Sequence, residues 1–109
     1  MPYIAQKNRE KLDAGINRLA ARIVAQARGY GYDGAFAGLL NYTCTRLAMS
    51  VVKQQFGKMR YWILALISGT FKNIADEFYR RIAVPYEDVQ SKKSGDVDLY
   101  AQIEEEIGK

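Results

Sequence analysis

The sequence predicts an all-α fold: a bundle of three main helices, followed by a C-terminal extended segment and a short helix, in a chain expected to be oligomeric. Two observations carry this. Apolar residues recur at steps of three and four over long stretches, and glycine- or proline-marked breaks separate the periodic stretches. At 109 residues the chain is long enough for one modest core and too short for a second full domain. The division that follows is a helical domain over residues 1–85 and an acidic tail over residues 86–109.

From Lys7 to Arg28, the residues Leu12, Ile16, Leu19, Ile23 and Ala27 form one stripe, widened by Ala20 and Val24. This spacing predicts an amphipathic helix with Lys11, Arg18 and Arg22 on its outer face. Gly29-Tyr30-Gly31-Tyr32-Asp33-Gly34 ends it in a loop whose glycine spacing matches neither phosphate-binding fingerprint, so a plain connector is expected.

A second helix is expected from Gly38 or Asn41 to Phe56. Asn41 would cap it, with Leu40, Cys44, Leu47, Ala48, Val51 and Val52 turned inward. Gly57-Lys58 supplies a turn. The third helix, Met59 to Ala83, carries Ile63, Ile67, Phe71, Ile74, Phe78 and Ile82 as a further apolar stripe, and Trp62 falls at its edge. Pro85 is expected to end this helix, because the residue before a proline is pushed out of helical geometry. Tyr86 to Asp96 then reads as an extended polar segment with a turn at Ser94-Gly95. Leu99, Ile103 and Ile107 predict a last helix over 97–107, too short to persist alone and therefore in need of a body or a second subunit to pack on.

Charge is unevenly divided. Residues 1–85 carry 13 Lys or Arg against 5 Asp or Glu, a net +8, while residues 86–109 carry 3 against 7, a net −4. A basic body favours anionic partners such as phosphates; the acidic tail would compete for that patch or dock on a neighbouring subunit. With no histidine and one cysteine, Cys44, the chain cannot assemble the common zinc or iron–sulfur ligand sets, a histidine-based triad or an internal disulfide. Cys44 reads as a small buried hydrophobe in a reducing compartment. The N-terminus lacks the apolar run of a signal peptide, and the uncharged run between Arg60 and Lys72 is 11 residues, far below the roughly 20 a membrane helix needs. A soluble, cytoplasmic, non-enzymatic protein without cofactor or metal is the expectation.

The residues Met1-Pro2-Tyr3-Ile4, Leu40-Asn41-Tyr42 with Thr45-Arg46-Leu47, Glu77-Phe78-Tyr79-Arg80-Arg81, Pro85-Tyr86-Glu87-Asp88 and Gly95-Asp96-Val97 occur in this order along the chain. In that pattern the chain resembles a family of small tailed-phage and prophage proteins of unknown function. The resemblance implies a phage or prophage origin and action in the bacterial cytoplasm. It implies no activity.

Within these motifs, arginine forks suit phosphate and tyrosine faces suit bases. The candidate ligand-binding residues are therefore Tyr42, Arg46, Tyr79, Arg80, Arg81 and Tyr86, with no catalytic residue. Ion pairs Asp76–Arg80 and Glu77–Arg81 at helical spacing are the plainer reading of the same arginines. The function expected first is sequestration of a phosphate-bearing small molecule, such as a nucleotide signal of antiphage immunity. The alternative is a protein-interaction or assembly factor using the aromatic edge at Trp62 and the acidic tail. Non-specific nucleic-acid binding ranks third, since the tail repels a polyanion.

Overall fold

A computed structural model of the chain describes residues 4–108, so Met1-Pro2-Tyr3 of the motif pattern lies outside the described residues. Among them there is no strand. The helices are α1 (Gln6–Gly29), α2 (Ala35–Phe56), α3 (Tyr61–Phe78), a π-helical turn (Tyr79–Ala83), α4 (Val84–Ser94) and α5 (Asp98–Gly108). Because α3 runs through the π turn into α4, the described residues make four helical rods. It divides into two compact units, Met1–Ile67 and Ser68–Lys109.

In the first unit α1 and α2 pack against each other across a turn at residues 30–34, where Gly31 takes a φ of 78°, a region glycine enters without penalty. The less exposed residues of α1, Ile23 and Ala27, lie next to that turn; Leu12, Ile16 and Leu19, nearer the N-terminus, are exposed. The stripe predicted to be core is thus covered only at its turn end. Helix α2 starts at Ala35 rather than at Gly38 or Asn41, both of which lie inside the helix. Ala35 is buried, and the helix-favouring Ala35 and Ala37 offset the roughly 1 kcal/mol that Gly38 costs in a helix interior. Of the six residues expected inward on α2 only Val52 is buried, at 3% exposure. Cys44 is exposed, contrary to expectation.

Gly57, with a φ of 81°, closes α2 by donating its N–H to the Lys53 carbonyl at 3.1 Å. The chain then turns so that Trp62 meets Phe56 edge to face, with centroids 5.4 Å apart, and Ile63 is buried to 3% exposure. The pair contributes about 0.5–1.5 kcal/mol beyond the area it buries.

No described residue of the second unit is buried. Its helices follow from local chemistry. Pro85 does not end the third helix: the turn before it widens, and the Val84 N–H reaches the Tyr79 carbonyl five residues back. A proline inside an α-helix removes one hydrogen bond and presses its ring on the carbonyl four residues earlier; a widened turn relieves that contact without breaking the rod. Pro85 then stands in the first turn of α4, where a missing N–H costs little. Glu87 near the start of α4 and Lys92 and Lys93 at its end oppose the helix dipole, so residues expected to be extended are helical up to Ser94. The expected turn is present at Gly95, with a φ of 80°, and α5 follows.

The accessible surface of the chain is 9696 Å². Two units of these sizes, each compact and sharing no surface whatever, would expose about 7,400 Å² by the scaling of area with mass. An excess on the order of 2,000 Å² therefore belongs to the helices themselves, whatever the arrangement of the units.

Candidate functional site

The six residues expected to bind a ligand fall on both units. Tyr42 and Arg46 lie one turn apart on α2 in the first unit. Tyr79, Arg80 and Arg81 occupy the π turn, and Tyr86 the first turn of α4, in the second.

On α2, the hydroxyls of Thr43 and Thr45 donate to the carbonyls of Leu39 and Asn41, at 2.7 and 2.9 Å. Thr45 thus serves its own helix rather than a ligand. Tyr42 is largely exposed. Arg46 lines a shallow depression with Met49, Ser50, Lys53 and Gln54. Lys53 was not among the residues singled out in the sequence, yet seven residues from Arg46 it lies two turns along the same helix face. Two cations border one concave patch there, an arrangement suited to an anion.

In the second unit Glu77 organises the arginines. Its side chain is 15% exposed, and its two carboxylate oxygens face Arg80, three residues on, and Arg81, four residues on, the latter at 3.5 Å. Of the two predicted ion pairs, Glu77–Arg81 is present. Arg80 turns to Glu77 instead of Asp76, so one carboxylate serves two guanidinium groups. Tyr79 and Glu87 come together across the π turn, the phenol hydroxyl lying 3.5 Å from a carboxylate oxygen, long for a hydrogen bond. Tyr86 is exposed. The π turn carries the Tyr-Arg-Arg motif, and such turns recur at functional positions because they re-aim the side chains they hold. The sequence signal for it is Pro85 following an unbroken apolar stripe.

A further depression borders the turn between α1 and α2, lined by Val24, Ala27, Arg28, Tyr32 and Phe36 among others. It is mostly apolar, with Arg28 at its rim. No group of three or more metal-ligating side chains occurs among the described residues, and none of their helices is long and apolar enough to cross a membrane.

Residues 1–97 match the family described as Domain of unknown function (DUF6899). No curated protein and no solved structure matches the chain.

Proposed function

From the premise that the chain belongs to the DUF6899 family, we propose that it is a non-enzymatic binding protein of a phage or prophage whose partners are other proteins. It is an interaction or assembly factor that works through uncovered amphipathic helices. One observation carries this reading: Phe71, Ile74, Phe78 and Ile82, a helical stripe by spacing, are all exposed. Exposed apolar patches of this kind mark interaction sites, because a monomer gains nothing by keeping them in water.

Tagged protein recovered from phage-infected bacteria should retain one protein at fixed stoichiometry. An Ile74→Asp, Phe78→Asp variant, its helicity checked by circular dichroism, should lose that partner. Equal recovery with the variant would end the proposal.

A second reading, sequestration of a phosphate-bearing small molecule, is favoured by Arg46 and Lys53 on one depression. A thermal-shift screen against linear and cyclic nucleotides tests it, since a ligand of the folded state raises the melting temperature. Stabilisation that disappears in Arg46→Ala would support it; no shift with any phosphate compound would remove it.

A further inference from the structure

Where α1 gives way to α2, the backbone is tied by three hydrogen bonds: the N–H groups of Tyr30, Ala35 and Ala37 donate to the carbonyls of Ala27, Tyr32 and Gly34, at 3.1, 3.2 and 3.2 Å. Ala35 is buried. The ring of Tyr32 rests over Gly34, its nearest carbon 3.7 Å from where a Cβ on that glycine would stand. The depression at this turn is therefore built on fixed backbone, as small-molecule sites generally are. Its volume, about 400 Å³, falls within the range of about 300–1,000 Å³ that such sites occupy.

Val24, Ala27 and Phe36 give this depression apolar walls, and Tyr32 adds a second aromatic ring. Two charged residues also line it, Arg28 and Asp33. Arg28 stands in the last turn of α1 and Asp33 just ahead of α2, so each suits the dipole of its helix end, which accounts for its sign. It gives neither a partner. Among the described residues Arg28 and Asp33 form no ion pair or side-chain hydrogen bond, with each other or with any other group. Two opposite charges thus border one apolar hollow without neutralising each other.

We infer that this depression binds a zwitterion with an apolar body, of which a free amino acid with an aromatic or large aliphatic side chain is the simplest. Arg28 takes the carboxylate, Asp33 takes the ammonium, and the ligand side chain lies on Val24, Ala27, Tyr32 and Phe36. Charge decides between this ligand and others. A nucleotide phosphate drawn to Arg28 would be repelled by Asp33, whereas the depression at Arg46 and Lys53 carries two cations and no acid. The C-terminus of a peptide would leave Asp33 unmatched, and the N-terminus of one would leave Arg28 unmatched. The site is made wholly of first-unit residues and shares none with the α3 stripe or the Arg46–Lys53 depression, so it goes beyond the proposed function.

The test is a ligand titration of the isotope-labelled full chain, read by amide chemical shifts. L-phenylalanine, taken into the millimolar range, should move the signals of residues 24–36 along one saturable curve. Phenylacetate lacks the ammonium and phenethylamine lacks the carboxylate, so each should bind about fivefold more weakly, the upper worth of one exposed charge pair. Glycine, with both charges and no side chain, should move nothing there. Arg28→Gln and Asp33→Asn change exposed positions, so circular dichroism should stay as in wild type, and each should weaken phenylalanine by the same factor. Asp33→Asn should also bind phenylalanine and phenylacetate about equally, because the charge that tells them apart is gone. No saturable shift at residues 24–36, equal affinity of wild type for phenylalanine and phenylacetate, or unchanged affinity in both variants would each overturn the inference.

Discussion

The two units of this chain are helical for different reasons. In Met1–Ile67 the helices are anchored by tertiary contact: Ala35, Val52 and Ile63 are buried, and Phe56 meets Trp62. Ser68–Lys109 buries none of its described residues and owes its helices to local devices, a proline in a first turn, opposed end charges and a glycine stop. Packing makes a fold cooperative, whereas local devices set only where helices begin and end. The second unit should therefore open at lower cost than the first unless a partner covers it.

The contrast breaks most directly at Ile63. Ile63→Ala should destabilise the first unit by about 2–3 kcal/mol, the lower part of the range for truncating a buried isoleucine, because so small a core relaxes easily. Urea denaturation followed by the fluorescence of Trp62, the one tryptophan, reads this unit directly. A loss under about 0.5 kcal/mol would mean that the anchoring lies elsewhere.

Pro85 offers the corresponding test of local control. Pro85→Ala restores an N–H and removes the ring, so the π turn should relax towards α geometry with a gain of about 1 kcal/mol or more. Hydrogen exchange at residues 79–83 should slow. Unchanged exchange would show that side chains, rather than the proline, hold the turn open.

Gly57 and Gly95 sharpen the comparison, since they share a φ near 80° in different units, 81° and 80°. Their ψ angles differ, −33° at Gly57 and 154° at Gly95, but both conformations are ones a residue with a Cβ rarely adopts, so alanine costs on the order of 1–3 kcal/mol at either. Gly57→Ala should lower the melting temperature of the cooperative transition. Gly95→Ala should leave that transition in place and appear instead as faster exchange in α4 and α5. Equal effects on one transition would show a single cooperative fold.

These differences also explain what the sequence disclosed. The all-helical class, the breaks at Gly31, Gly57 and Gly95, and α5 were legible, because periodicity and positive φ are local properties. Burial was not. The spacing of Leu12, Ile16 and Leu19 identifies an apolar face but does not say what covers it, and all three are exposed. Helix α4 is hidden by Pro85, which marks the start of a helix as readily as its end; Glu87, Lys92, Lys93 and Gly95 outline a helix that begins with a proline. Of the candidate site, the Glu77–Arg81 pair followed from spacing alone, whereas the turn of Arg80 towards Glu77 depended on rotamers.

Glu77 gives the smallest expected effect and bears most closely on function. Glu77→Gln keeps the shape and removes the charge that faces Arg80 and Arg81. Both guanidinium groups are more than half exposed, so the stability lost should be no more than about 1 kcal/mol and should shrink with added salt. The larger consequence concerns anions. A carboxylate between two arginines competes with any phosphate for the same forks, so its neutralisation should strengthen phosphate binding at the π turn. Chemical-shift perturbation of the arginine side chains during a titration with inorganic phosphate would measure this in wild type and variant. Stronger binding in Glu77→Gln would make the π turn an anion site held closed by its own acid. Equal binding would leave Tyr79-Arg80-Arg81 a structural motif and confine anion recognition to Arg46 and Lys53 in the first unit.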